Sequence, residues 1–540
     1  MLRDVIAAGL ASGRWDVRDA AMLQDNLTLS ADVVIVGSGA GGGMAAEILA
    51  LAGLKVVIVE EGALRYASRD FKMREADAYP ALYQESAGRQ TRDKGITILQ
   101  GRTVGGSTTV NWTSSFRTPP STLGFWQSQF GLKALGVEQM APWFAKAEQR
   151  LSVIDWAVEP NANNRVLMKG ADKVGIHWSK IRRNVKGCLN LGYCGMGCPA
   201  NAKQSMLITT IPAALDHGAI LLTHARAERV LHSGDHASGL ACVAMQADGI
   251  SPSGKTITIQ AKTVVLAGGA INTPALMLRS GLPDPHGLIG RRTFLHPVNV
   301  SGAVMPHKVE GWSGAPQSIY SDHFLQTQAI DGAIGYKLET PPLHPVLTAI
   351  TLSGFGAQHR QIMSQFDRLQ VTLALLRDGF HPQSQGGTVG LKRDGTPLLD
   401  YPLGDFVWEG MRRAYLTMAE LQFAAGAERV LPIHEDAPAG GYRSWSEAKA
   451  EIARLPMEVL RAKVVSAHVM GGCGMAAMPQ AGVCSDTGQF HQLGGLFVMD
   501  GSLFPTSIGA NPQLSIYGLA ARNASLLARS LTGREVAWPA

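Results

Sequence analysis

The sequence predicts an α/β protein: a parallel, doubly wound core joined to a region of antiparallel strands and helices. Three observations lead there. Two apolar runs, Val33-Val34-Ile35-Val36 and Val56-Val57-Ile58-Val59, flank a glycine-rich turn and a helical stretch. That is the pattern of a βαβ unit whose strands are buried on both faces. Leu369, Val371, Leu373 and Leu375 instead alternate with Gln370 and Thr372, the period of a half-buried strand. Further apolar runs leading into glycine recur at 263–266 and 496–499, far along the chain.

Each element has a local reason. The helix between the first two strands covers roughly 44–51 and stops at Gly53, where a left-handed residue can end it. Asp394-Gly395 lies between Val389-Gly390-Leu391 and Leu398-Leu399 and predicts a hairpin turn. Asp405 is placed to cap a following helix in which Val407, Met411, Ala414, Met418, Leu421 and Ala425 step by three and four, and Gly426 closes it. A second helix is expected after Ile271-Asn272-Thr273-Pro274, ending at Ser280-Gly281. The antiparallel texture runs over about 296–465.

Composition excludes several classes. The 540 residues are 46% hydrophobic and 17% charged with a net charge of +6, which excludes disorder. No Lys/Arg-rich block suggests nucleic-acid binding. The first 30 residues carry Arg3, Asp4, Arg14, Asp16, Arg18 and Asp19 and lack a signal-peptide apolar core. The expectation is a soluble, cytoplasmic protein. Export with a signal-bearing partner and peripheral membrane contact stay open. Glycine is the outlier, 61 residues or about 11%, where about 7% is usual.

Gly37-Ser38-Gly39-Ala40-Gly41-Gly42 follows the first strand and opens the helix. Gly37 suits the tight turn, Gly39 the close approach of backbone to a pyrophosphate, and Gly42 the contact of helix with strand. The phosphates would sit on the helix N-terminus. Glu60 ends the second strand, where its carboxylate can accept hydrogen bonds from ribose hydroxyls. These residues predict dinucleotide binding and leave FAD and NAD open.

A second glycine-rich stretch, Gly101-Arg102-Thr103-Val104-Gly105-Gly106-Ser107-Thr108-Thr109-Val110-Asn111, reads as a loop lying flat against a ligand. Ala267-Gly268-Gly269-Ala270, with Thr273, Pro274, Leu276, Ser280 and Gly281, follows the 263–266 strand, and Asp500-Gly501-Ser502 follows the last. Together these segments resemble the glucose–methanol–choline (GMC) oxidoreductases over about 32–527. His468-Val469-Met470-Gly471-Gly472-Cys473 and the stretch from Asp500-Gly501-Ser502 to Gly509-Ala510-Asn511-Pro512 are most similar to the long-chain-alcohol-oxidase and cholesterol-oxidase-like branch.

The resemblance implies FAD, a Rossmann-like FAD-binding domain and an inserted antiparallel-sheet substrate domain. The implied division is an N-terminal arm over 1–30, FAD-binding parts over 31–295 and 466–540, and a substrate domain over 296–465. It implies oxidation of an alcohol CH–OH, with His468 taking the hydroxyl proton and Asn511 binding the substrate oxygen. The implied flavin contacts are Gly37, Gly39, Gly42, Glu60, Arg102, Gly105, Gly106, Ser107, Asn111, Val230, Gly269, Asp500 and Gly501. A lipophilic alcohol is the expected substrate, with oxygen, a quinone or a cytochrome as acceptor. Two residues depart from the family pattern: Val469 replaces the usual proline, and Val110 stands where some members carry a flavin-linked histidine. Valine cannot form that link, so the FAD is expected to be dissociable. His296-Pro297 matches a family turn and His434 reads as a surface or packing residue; neither is expected to do chemistry.

Cys188, Cys194 and Cys198 lie close together in a glycine-rich stretch. Their spacing is similar to the [3Fe–4S] site of some sugar dehydrogenases of the family, which would make the chain the catalytic subunit of an electron-transfer complex. Three ligands fall short of a four-cysteine site. Structural thiols or a disulfide are therefore favoured over a cluster.

Overall fold

The computed structural model describes residues 4–327 and 329–538. The apolar runs assemble into one six-stranded sheet, in the order Asp16–Asp19, Ile220–Thr223, Val56–Val59, Val33–Val36, Thr263–Leu266, Leu496–Val498. Every neighbouring pair in it is parallel. All residues of Val33–Val36 and Val56–Val59 are buried, as strands covered on both faces require. The core thus draws strands from both ends of the chain.

Helix Ala40–Leu51 begins directly after Gly39, earlier than its apolar pattern suggests. A Cβ on Gly41 would lie 1.5 Å from the Met499 carbonyl oxygen, and one on Gly42 1.9 Å from that of Gly37. Close packing on the strand ends, not helix propensity, selects glycine there. Strands within residues 4–30 join the sheets of the rest of the chain. Asp16–Asp19 extends the parallel sheet and Leu27–Ser30 pairs with Pro252–Gln260. Polar edge strands of this kind carry little apolar signal.

A second, eight-stranded sheet contains Val298–Val304, Leu369–Leu376, Tyr336–Glu339 and Ile319–Ser321 as antiparallel neighbours. Ile96–Ile98 and Ser179–Lys180, from outside 296–465, lie at its edges. Gly387–Leu391 and Pro397–Asp400 form the expected hairpin, with Gly395 at φ 78°.

Three local expectations need correction. Leu369–Leu376 is buried almost throughout rather than on one face, because helix Asp405–Ala424 packs behind it. Its polar residues are paired: Gln370 Nε2 donates to Thr372 Oγ1 (3.0 Å), and Gln370 Oε1 accepts from Gln422 Nε2 (2.8 Å). Gly404, not Asp405, is the N-cap of that helix, and Asp405 instead complements the positive end of the helix dipole from the first turn. Pro274 falls inside helix Gly269–Arg279, whose start is fixed by Gly269 N–H donating to Asp500 Oδ2 (2.8 Å). Among the described residues no helix is long and apolar enough to cross a membrane.

Candidate active site

A cavity of about 910 Å³ lies between the two sheets. Glycine turns from the parallel core form one end. Gly37, Gly39, Glu60, Arg102, Gly106, Ser107, Asn111, Gly269, Asp500 and Gly501 all reach its wall. The two glycine loops touch: a Cβ on Gly106 would sit 2.8 Å from the Gly39 Cα. Ser38 joins them to the second strand. Its N–H and Oγ donate to Glu60 Oε2 at 3.1 and 2.6 Å, and its Oγ accepts from Gly105 N–H at 2.9 Å. Burial raises the Glu60 pKa against the pull of these hydrogen bonds. Asp500 accepts from Gly269 N–H, from Thr273 Oγ1 at 2.6 Å and from Ser502 N–H at 2.8 Å, which ties the last strand to helix Gly269–Arg279.

Three of the expected flavin contacts lie behind the wall. Gly42 packs helix on strand and Gly105 supports the second loop. Val230 is buried in its sheet with its N–H donated to Ser280 Oγ (2.9 Å), and 225–228 form the wall there instead.

His468 and Asn511 open onto the cavity together. Burial and the nearby Lys337 cation lower the His468 pKa to about 3, so the ring is neutral at physiological pH. Its Nδ1 lies 3.4 Å from Nδ1 of His296, which burial and the neighbouring His468 also hold neutral. His296, expected only as part of a turn, is thus part of the site's inner layer. His434 is a packing residue, its Nε2 bonded to the Pro456 carbonyl at 2.8 Å. The Asn511 amide is held at both ends: Oδ1 accepts from Lys337 Nζ (2.9 Å) and Nδ2 donates to Glu339 Oε2 (3.1 Å). Sequence reasoning missed Lys337 and Glu339, since a lone Lys-x-Glu in a strand reads as a solvated face.

Family models described as GMC oxidoreductase match residues 79–298 and 382–520. The chain belongs to the GMC oxidoreductase family. A long-chain-alcohol oxidase of Arabidopsis thaliana is 30% identical over 92% of this chain and 68% of its own length. An uncharacterized GMC-type oxidoreductase of Mycobacterium tuberculosis is 32% identical over 91% of this chain and 74% of its own. A formate oxidase structure from Aspergillus oryzae superposes with TM-score 0.67 at 15% identity, over 95% of this chain and all of that one. A pyridoxine 4-oxidase structure from Mesorbium loti gives TM-score 0.67 at 19% identity, over 91% and 98%.

This GMC enzyme is an FAD-dependent alcohol oxidoreductase. Its cradle fits the cofactor: two contacting glycine loops, a helix N-terminus and the Glu60 carboxylate meet at one end of the cavity. No cluster is favoured at Cys188, Cys194 and Cys198. All six are free thiols. Among the described residues no group of three His, Cys, Asp or Glu side chains is arranged to hold a metal. The Cys194 thiol instead accepts from Arg183 Nη2 at 3.9 Å, and the Cys188 thiol from Asn190 N–H at 3.4 Å.

The far end of the cavity is apolar. Val298 and Val300 from one strand, Val371, Leu373 and Leu375 from its neighbour, and Ile433 and Val465 form a continuous wall. The i, i+2 spacing explains it, because alternate residues of paired strands share a face.

Proposed function

We propose that this enzyme oxidises a lipophilic primary or secondary alcohol to the aldehyde or ketone, with oxygen as acceptor. The apolar wall carries the substrate reading: Val298, Val300, Val371, Leu373, Leu375, Ile433 and Val465 offer aliphatic surface to a bound molecule, and burying alkyl surface there contributes about 0.8 kcal/mol per CH₂. The Arabidopsis relatives, named long-chain-alcohol oxidases, support both substrate class and acceptor. A sugar would leave its hydroxyls unpaired on the same wall.

Bound FAD supplies a hydride acceptor. The chain's residues do the rest. Asn511 binds the substrate oxygen and orients the carbon. With Nδ1 facing His296, His468 uses Nε2 to take the hydroxyl proton, and a positioned base of this kind is worth about 10²–10⁴-fold. Desolvation keeps the imidazole neutral and also makes it a weak base.

Anaerobic mixing with a long-chain alcohol should bleach the flavin, and aliphatic alcohols should outrun sugars in a panel. His468→Ala should abolish bleaching while the flavin stays bound. Rapid bleaching by that variant would remove His468 from the mechanism.

A further inference from the structure

Behind Asn511 lies a buried ion pair that does not line the cavity. Lys337 and Glu339 stand two residues apart on strand Tyr336–Glu339, so both side chains leave the same face. Their ammonium and carboxylate are 2.9 Å apart, and the side chains are 3% and 0% exposed. Directly opposite them on the next strand are Leu375 and Leu373, two residues of the apolar wall. Taking two charges out of water beside such a wall is costly. Replacing them with apolar residues would ordinarily be neutral or stabilising, so their placement calls for a role other than stability.

Their hydrogen bonds show what they hold. Lys337 Nζ donates to Asn511 Oδ1 at 2.9 Å and sits 3.1 Å from the centre of the Phe116 ring. Glu339 Oε2 accepts from Asn511 Nδ2 at 3.1 Å and from Gln317 Nε2 at 2.6 Å. Gln317 is fixed in turn by Ser114 Oγ donating to its Oε1 at 2.8 Å. An asparagine amide can ordinarily turn over and exchange donor for acceptor. Here a cation binds the oxygen and a carboxylate binds one N–H, so only one orientation keeps both contacts. The second Nδ2 hydrogen is then the amide group left for a ligand.

We propose that the Lys337–Glu339 pair locks the Asn511 amide so that its remaining N–H donates to the substrate oxygen, making Lys337 and Glu339 positioning residues for alcohol oxidation. The proposal rests on the reading of Asn511 and His468 as the groups that hold the alcohol. A turned-over amide would present Oδ1, which repels the substrate's lone pairs and competes for the hydroxyl hydrogen that His468 must receive.

The test is a double-mutant cycle on the holoenzyme, read as the rate of anaerobic flavin reduction by a saturating long-chain alcohol. Lys337→Met with Glu339→Leu removes the lock without leaving a lone buried charge. Reduction should slow by about tenfold or more, whereas Lys337→Arg should retain most of the rate. In an Asn511→Ala background the Met/Leu replacement should cost nothing further, because a residue acting only through Asn511 has nothing left to position. Full additivity in that background overturns the proposal, as does an unchanged rate for the Met/Leu variant. Should that variant fail to retain flavin, Glu339→Gln run through the same cycle decides on the same criteria. Failure of the underlying reading looks different: His468→Ala and Asn511→Ala would then reduce flavin at the wild-type rate.

Discussion

His296 Nδ1 lies 3.4 Å from His468 Nδ1, the two rings meeting edge to face. Gly509 N–H donates to His296 Nε2 at 3.1 Å, so neutral His296 carries its hydrogen on Nδ1, on the side of His468. For His468 to accept a proton at Nε2, its own hydrogen must sit on Nδ1. The pair reaches that state only by giving up the Gly509 hydrogen bond, a net cost of about 1 kcal/mol, or roughly fivefold in population. His296→Gln retains an amide oxygen for Gly509 and places no hydrogen at the Nδ1 position. Flavin reduction by alcohol should be unchanged or up to about fivefold faster. A slowing of about tenfold or more would show that the second ring carries the proton itself.

The same two rings couple stability to pH. Both are held neutral in the fold, His468 at about 3 and His296 well below its usual value, burial being the main cause in each. In the unfolded chain each titrates near 6.5, so below that pH the unfolded state binds more protons than the folded one. Stability is therefore fully present above about pH 6.5 and falls as pH drops, with a slope approaching about 1.4 kcal/mol per unit for each ring. Unfolding midpoints measured between about pH 5 and 8 should fall less steeply for His468→Gln than for the wild type. Parallel curves would mean that His468 titrates normally in the folded enzyme.

The apolar wall predicts a chain-length rule. If each added methylene of the alcohol meets Val371, Leu373 or their neighbours, kcat/KM should rise by about fourfold per CH₂ until the wall ends, following about 0.8 kcal/mol per group. Leu373→Asn should flatten the series and leave the shortest alcohols little affected. A flat wild-type series would place the alkyl chain elsewhere.

What the sequence made legible was local. The βαβ unit and the Asp394-Gly395 hairpin follow from runs and turns a few residues long, whereas the pairing of His468 with Asn511 comes only from the family resemblance; both side chains line one cavity. Lys337 and Glu339 could not be read the same way. Their meaning depends on Asn511, which lies far along the chain, and two charges in a strand cost nothing until the fold buries them. Residues 16–19 escaped notice for a related reason: an Asp-Val-Arg-Asp strand is specified by its partner Ile220–Thr223, not by its own apolar content. The polarity of Gln370 and Thr372 misled in the other direction, because the hydrogen bonds that let them be buried come from Gln422 on a distant helix and from each other.

Val110 reaches the cavity wall as a buried aliphatic side chain and offers no nucleophile to a flavin ring. Acid precipitation of the purified enzyme should leave all of the yellow colour in the supernatant. Colour retained in the washed pellet would require a covalent link through another residue.

Lys203 ties the cysteine segment to the second glycine loop. Its buried ammonium donates to the carbonyl oxygens of Thr109 at 2.5 Å, Asn111 at 3.0 Å and Cys194 at 2.8 Å. Burial lowers its pKa to about 8, against the opposing pull of Cys194 and Cys198, so the ion persists at neutral pH because these three oxygens replace its water. Lys203→Met would leave all three carbonyls unpaired at about 1–3 kcal/mol each, two of them in the loop that lines the cavity. The expected result is a protein that loses FAD on gel filtration and regains activity when excess FAD is supplied. Replacing Cys188 and Cys198 with serine should do neither, because Lys203 bonds to the Cys194 backbone rather than to a thiol. An iron signal in the wild type that the serine variants lose, or a collapse of flavin reduction in those variants, would instead assign those thiols a redox role.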